Sequence, residues 1–386
     1  MPTITFVSNV YSSFLASGTS ERTRQLKHGL EQLGWSCRVV TVARPELAGR
    51  REPDADAILA LPVLLPRFPV PWRGLSRLWR CLRRSDVVHI IDHWSLLNLL
   101  CVLICRWQGT PYVFSPCGAL VPTGRSLLLK RLYNALFCRS LILPGAALLI
   151  AVTEAEAAEL RPLIRHPQRV RVVPNGVWLQ AAAAPPAPDT SRVDPLQRHG
   201  LQPYRYLLFL GRLSPIKGPD LLAEAYLASP ALADWPLVFA GPDEDMEGAI
   251  RRRAEAAGRR AGLHFLGRVD AVDRDRLLRQ ALLTVIPSRR EAMSLVAVES
   301  AAMGTPFLAS DRCGLEVFAD HGAGYLCPAE PAALAAALTR LLADPAGLAA
   351  TGGRAQRLVA ERYAWEAILP RFAAMLSASF RSPSPS

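Results

Sequence analysis

The chain is almost without lysine. Only Lys27, Lys130 and Lys217 stand against 42 arginines, so a lysine at any one basic position is compositionally unexpected. No C-x-x-C pair occurs among Cys37, Cys81, Cys101, Cys105, Cys117, Cys138, Cys313 and Cys327. That removes the dithiol redox motif and the paired-cysteine zinc frameworks. No His/Cys/carboxylate cluster has metal-ligand spacing and no Asp-x-Asp stands out after a strand, so metal independence is expected. The opening PTITFVSNVY is a short apolar strand without a basic region or cleavage site, which does not read as a secretory leader. The thiols of so large a chain are then expected to be reduced and cytosolic. The longest apolar run, Trp94 to Trp107, falls short of the roughly 20 residues that a membrane span requires. A buried helix is expected there, in a soluble or peripheral protein. No G-x-G-x-x-G follows the first strand, which disfavours a nicotinamide dehydrogenase, and no repeat at solenoid periods is seen.

What is present is length, apolar content and lopsided charge. With 386 residues, 50% of them hydrophobic, the chain suits two domains of about 170–200 residues, each able to bury a core. The net charge of +12 is unevenly spread. Residues 1–178 carry 22 Lys+Arg against 11 Asp+Glu, while the remainder is nearly balanced at 23 against 22. An anionic partner is expected on the N-terminal half, and membrane lipid, a phosphorylated acceptor and nucleic acid are all open on charge alone.

Strands and helices alternate along both halves. Ile4–Val7, Cys37–Val42, Asp86–Ile91, Tyr112–Phe114, Ala147–Val152 and Val170–Val173 read as strands, and Thr23–Leu33 as a helix stopping at Gly34. Residues 179–203, rich in Ala and Pro, break the alternation and read as a linker. It resumes with strands at Tyr206–Leu210, Leu237–Ala240, His264–Leu266 and Leu283–Ile286, separated by helical stretches. Apolar strands alternating with helices imply doubly wound parallel sheets, whose ligands bind beyond the carboxyl ends of the strands. The expected division is 1–178, a linker at 179–203, 204–362, a helix at 363–378 and a disordered tail at 379–386.

Two segments carry the chemistry. Gly211-Arg212-Leu213-Ser214-Pro215-Ile216-Lys217-Gly218 lies between a strand and a helix. There backbone amides and a helix N-terminus would meet an anion, Arg212 can fork two phosphate oxygens and Lys217 adds a point charge. By itself this is also an ordinary basic turn. Glu291 and Glu299, eight residues apart in PSRREAMSLVAVESAAMGTP, place one carboxylate in a loop and one inside a helix expected over Ser294–Ala302. The amides of Met293, Ser294 and Leu295 at its mouth would be free to face an anion. Alone, two acidic residues near a helix start are also merely stabilising.

Together these segments resemble the retaining glycosyltransferases of family 4, and the resemblance runs over nearly the whole chain. It implies an α/β GT-B fold: two Rossmann-like domains facing across a cleft, with the C-terminal helix crossing back to the first. The first domain would bind acceptor and the second a nucleotide sugar, UDP- or GDP-linked, with no cofactor and no metal. Arg212 and Lys217 would hold the diphosphate, Glu291 the donor sugar, Glu299 the ribose, and the backbone at Arg268 and Val269 the base. Gly18 would let the acceptor-side loop approach the donor phosphates, and His93 is a candidate for touching sugar or acceptor, with a structural role equally open. Catalysis would be electrostatic stabilisation of the departing diphosphate, which itself takes the acceptor proton. Two positions depart from the pattern. Ala292-Met293-Ser294 stands where the family often has Gly-Phe-Gly, and Cys117 where many relatives carry His or Arg. Gly314-Leu315-Glu316 resembles a family loop and reads as structural.

The acceptor side is written in arginine. Residues 72–84, WRGLSRLWRCLRR, hold five arginines with Trp72, Leu75, Leu78, Trp79 and Leu82 at helical spacing, and residues 125–142 are similar. Both are basic amphipathic stretches suited to an anionic membrane surface, or ordinary surface helices with snorkelling arginines. The expected activity is transfer of sugar to a glycan or polyprenyl-diphosphate-linked acceptor in cell-surface polysaccharide or lipopolysaccharide synthesis, on the inner face of the cytoplasmic membrane. The alternative is a catalytically silent scaffold that binds nucleotide sugar or a partner. A nucleic-acid binder is disfavoured because the chain has no recognition motif or aromatic-basic platform.

Overall fold

The computed structural model describes residues 1–14, 17–47, 49, 52–64, 70–122, 126–180 and 194–381. Residues 181–193, the bulk of the expected linker, and 382–386, the end of the expected tail, lie outside the described residues. The chain divides into two compact units, Met1–Pro174 with Ala367–Ser386, and Asn175–Glu366.

The first unit is built on seven strands: β1 (Thr3–Val7), β2 (Ser36–Val42), β3 (Ile58–Leu61), β4 (Val87–Ile91), β5 (Tyr112–Ser115), β6 (Leu148–Ala151) and β7 (Val170–Val172). Their order is β3-β2-β1-β4-β5-β6-β7 and every pairing is parallel. Parallel strands need helical crossovers on both faces, which is why β4 is buried at all five positions. Strand β3, which the sequence reading did not resolve, is a four-residue edge strand paired only with β2 and half-exposed, so it lacks a buried strand's pattern. The long apolar segment forms the helix Leu96–Gln108, capped by Ser95, whose side chain accepts from the Asn98 amide. The buried helix expected here is buried on one face, through Leu97, Cys101, Val102 and Cys105, while Leu103 is 45% and Trp107 77% exposed.

The C-terminal helix Trp365–Arg381 belongs to the first unit from Ala367 onward. There Phe372 meets His89 at 5.6 Å between ring centroids and Phe380 meets Trp35 at 6.1 Å.

The second unit has six strands: β8 (Leu207–Leu210), β9 (Leu237–Ala240), β10 (Leu263–Gly267), β11 (Leu283–Ile286), β12 (Phe307–Ser310) and β13 (Tyr325–Cys327). They run in the order β10-β9-β8-β11-β12-β13, again all parallel. Residues 194–203, read as linker, fold onto this unit. Leu196 and Leu201 are buried in one cluster with Tyr206 and Leu208, and Arg198 pairs with Asp273 at 2.8 Å. Among the described residues no single helix is long and apolar enough to cross a membrane.

Candidate functional site

Sheet growth reverses between β8 and β11 in the second unit, and a doubly wound sheet opens a crevice at such a point. The Arg212–Gly218 loop leaves β8 and the Pro287–Ser294 loop leaves β11, so segments some 70 residues apart in the chain become neighbours there. Gly218 shows how close they come. It has φ +70°, and a Cβ at that position would stand 2.2 Å from the Pro287 carbonyl oxygen, so only glycine fits. The Arg289 amide donates to the Ile216 carbonyl at 2.8 Å. Its guanidinium forks onto both oxygens of Asp220, at 2.9 and 2.6 Å, the bidentate geometry that fixes orientation as well as charge.

On this frame Lys217 Nζ stands 2.9 Å from Glu291 Oε2, with the side chains 27% and 11% exposed. Glu291 Oε1 accepts from Ser288 Oγ at 2.5 Å. The structure therefore brings together the lysine and the first glutamate singled out by sequence. Arg212 is turned elsewhere, onto Glu244 at 2.5 Å. Glu299 lies inside the helix Leu295–Ala302, and Arg274 Nη1 stands 3.2 Å from its Oε1.

The mouth of that helix corrects one expectation. The Ser294 amide is not open, because it donates to the Cys313 carbonyl at 3.1 Å. The amides without an intrahelical acceptor begin one residue later, from Leu295. Asn175 Nδ2 donates to the Met293 carbonyl at 3.0 Å, and the Glu291 amide donates to the Arg312 carbonyl at 2.8 Å. The loop after β12, with Gly314-Leu315-Glu316, thus braces both ends of Glu291–Ser294. The Ser294 hydroxyl is buried with no hydrogen-bond partner and gives the helix no side-chain cap. Met293 is 5% exposed. Gly267 (φ +63°) ends β10, leaving Arg268 exposed and Val269 partly buried against the core.

The first unit's candidates lie beyond β1, β4 and β5. Gly18 opens the helix Gly18–Gln32 and is exposed; residues 15 and 16 just before it lie outside the described residues. His93 is 2% exposed and ringed by Trp94, Tyr133 and Phe114 at centroid distances of 4.4, 5.3 and 5.6 Å. Asn134 donates through Nδ2 to the Leu120 carbonyl, so its Oδ1 is the acceptor facing His93 Nε2 at 2.8 Å. The imidazole proton is thereby assigned to Nε2. Burial lowers the His93 pKa to about 4, so the ring is neutral at pH 7 and can hydrogen-bond but not carry charge. His89 is a core residue as expected, bonded to Ser115 Oγ at 2.7 Å. Burial raises the Cys117 thiol to about 12, which makes it an inert protonated group rather than a nucleophile.

Sequence reasoning missed Arg289, Asp220, Arg274 and Asn175. Each acts through a partner between 25 and 118 residues away, and no local pattern announces such a pairing.

Two parallel-sheet α/β units, one with a cationic loop and a helix mouth meeting at its switch point, are the architecture of the GT-B fold. The profile for glycosyl transferases group 1 matches residues 196–359, and that for the glycosyl transferase 4-like domain matches residues 17–176. The chain belongs to this glycosyltransferase family. It is 34% identical over 197 residues to the D-inositol 3-phosphate glycosyltransferase of Jonesia denitrificans, covering 48% of this chain and 46% of that protein. It is 36% identical over 235 residues to the protein of the same name from Salinispora arenicola, covering 56% and 52%. The chain thus spans about half the length of the curated relatives it matches. Among solved structures, Anabaena HepE in complex with UDP and glucose superposes with a TM-score of 0.77 at 17% identity, covering 98% of this chain and 100% of HepE. That likeness establishes the fold.

Proposed function

We propose that this chain is a retaining glycosyltransferase. It moves a sugar from a nucleotide-diphosphate sugar to a glycan or lipid-linked acceptor in cell-surface polysaccharide or glycolipid synthesis. The observation that carries the reading is the Lys217–Glu291 pair at 2.9 Å, set at the switch point beside the helix that holds Glu299 and opens its amides from Leu295. Lys217 meets the diphosphate, and Arg212 joins it by exchanging Glu244 for phosphate oxygens. Leu295 and its neighbours add the partial positive charge of a helix N-terminus. Glu291, held by Ser288 and Lys217, accepts from the hydroxyls of the donor sugar. Glu299 accepts from the ribose diol, and the backbone at Arg268 and Val269 meets the base. As the glycosidic bond breaks, negative charge grows on the leaving diphosphate, where preorganised cations lower the barrier. The acceptor hydroxyl attacks from the same face and passes its proton to a phosphate oxygen. The reaction on this account needs neither metal nor cofactor.

The donor is taken to be UDP-linked, with GDP second. HepE's complex with UDP and glucose supports that order. The acceptor carries phosphate: the first 178 residues hold twice as many basic as acidic groups, and the relatives' names specify a phosphorylated inositol. A polyprenyl-diphosphate-linked glycan meets the same requirement and matches the apolar surface of the first unit. That surface differs from the one expected. Leu78 and Leu82 of the helix Leu75–Arg83 are buried in the core, so this helix spends part of its apolar stripe inward. Trp72, Leu75 and Trp107 remain exposed, and Leu128, Leu129, Leu132 and Leu136 add a second group between 43% and 81% exposed with Leu127. Arginines border both groups, which suits an anionic membrane.

The test is transfer of label from UDP-[14C]glucose, or another UDP or GDP sugar, into the lipid phase of bacterial membranes. Transfer by the wild type and its loss in Glu299→Ala support the reading. Nucleotide binding without transfer to any membrane fraction would establish the silent scaffold, which the Cys117 and Ala292-Met293-Ser294 departures favour.

A further inference from the structure

We propose that Arg274 is a positioning residue for nucleoside recognition, setting the carboxylate of Glu299 toward the ribose diol; this rests on the donor-site reading above. Arg274 lies in the first turn of the helix Ala271–Gln280, its amide donating to the Asp270 carbonyl at 2.9 Å. A cation in a first turn opposes the helix dipole, so its placement calls for another cause. The guanidinium supplies one. Its Nε and Nη2 both stand 3.2 Å from Asp275 Oδ1, and its Nη1 stands 3.2 Å from Glu299 Oε1. One edge of the planar fork is anchored by Asp275 and another meets Glu299, a geometry that a lysine ammonium cannot reproduce. Arg274 also follows Arg268 and Val269 by only a few residues. It thereby joins the loop assigned to the base with the helix assigned to the ribose. The Glu299 side chain is 15% exposed and that of Arg274 35%, so the pair is partly shielded from the solvent screening that weakens fully exposed ion pairs.

A glutamate inside a helix has several rotamers, and only some reach a diol above the strand ends. Pairing through one oxygen to an anchored arginine selects among them, and a carboxylate so placed accepts from the ribose hydroxyls.

The test compares UDP with 2′-deoxy-UDP by calorimetry, or GDP with 2′-deoxy-GDP where the wild type binds GDP. Wild type is expected to favour the ribonucleotide by about tenfold or more, the value of a hydrogen bond to a charged group. Arg274→Met should bring that ratio to within about twofold, weakening UDP more than 2′-deoxy-UDP, which keeps only the 3′-hydroxyl of the diol, while Arg274→Lys restores only part of it. Glu299→Gln should do the same as Arg274→Met, and the double variant should add nothing further. A wild-type ratio in Arg274→Met overturns the proposal. So does equal loss of both nucleotides, which marks a structural role, and so do additive losses in the double variant, which mark a direct contact. Failure of the wild type to bind any nucleoside diphosphate overturns the donor-site reading and this inference together; binding with an unaltered ratio overturns this inference alone.

Discussion

In the first unit Arg22, His89, His93 and Glu156 are buried, while leucines and tryptophans stand in solvent. In the second unit the charged groups Lys217, Glu291, Arg289, Asp220, Arg274 and Glu299 gather in pairs at one end of the sheet. Of the large apolar side chains exposed among the described residues, 13 precede residue 175 and only Tyr204, Ile216 and Val272 follow it. One doubly wound architecture has thus been put to two uses. Arg22 spends its guanidinium on the carbonyls of Val173 and Pro174, at 2.7 and 2.9 Å, which fixes the end of the sheet. Lys217 instead stands partly exposed at a helix mouth, where an incoming anion can compete for it. A buried charge on this account holds a fold together, and a half-exposed pair holds a place for a ligand.

Lys217→Ala should separate the two units most sharply. Transfer should fall about 10²–10³-fold, the cost of removing one donor that stabilises developing charge. Amide hydrogen exchange in the first unit should stay unchanged. Loss of protection in residues 1–174 would show that the lysine acts through the fold. Gly218→Ala comes next. Its left-handed φ and the 2.2 Å approach to Pro287 should destabilise the second unit by about 2–3 kcal/mol in urea titration. A loss below about 0.5 kcal/mol would mean that the two loops are less tightly joined than described.

The buried histidines give the first unit its own acid sensitivity. Burial lowers His93 to about 4 and His89 to about 3, below the ordinary value near 6.5. The unfolded chain binds the extra protons first. Stability from each is therefore present above pH 6.5 and is lost as pH falls toward the folded pKa, by about 1.4 kcal/mol per pH unit per histidine. Glu156 and Asp92, both raised by burial, work in the opposite sense, so the histidine effect is read just below pH 6.5, where the unfolded imidazoles take up their protons. Exchange protection there should fall faster in the first unit, and His93→Gln should flatten that slope. Equal slopes in the two units would contradict the burial argument.

Leu132→Ser and Leu136→Ser should have the smallest effect on stability, within about 0.5 kcal/mol for exposed positions. Sedimentation with anionic vesicles should nevertheless weaken severalfold. Unchanged sedimentation would remove the membrane role from this surface.

The fold was largely legible because parallel strands buried on both faces write themselves as apolar runs: Phe6, Val88 and Val113 needed no partner to be read. Lys217 stood out through the rarity of lysine, and Glu291 and Glu299 through their spacing. The frame that brings them together was not legible. Arg289 and Asp220 look like any exposed ion pair until β8 and β11 become neighbours. The Ser294 amide looked open because its acceptor, Cys313, comes from a later loop. At Leu78 and Leu82 amphipathic spacing fits a lipid-facing stripe and an ordinary surface helix alike, and in the fold both leucines seat the helix on its own core.

The most direct measurement is a thermal-shift screen of the purified chain against UDP, GDP, ADP and CMP and their common sugar conjugates, with and without EDTA, beside Lys217→Ala. The account predicts stabilisation by one nucleoside diphosphate and its sugars, unaffected by EDTA and lost in the variant. No shift with any nucleotide, or a shift that survives the loss of Lys217, would contradict it.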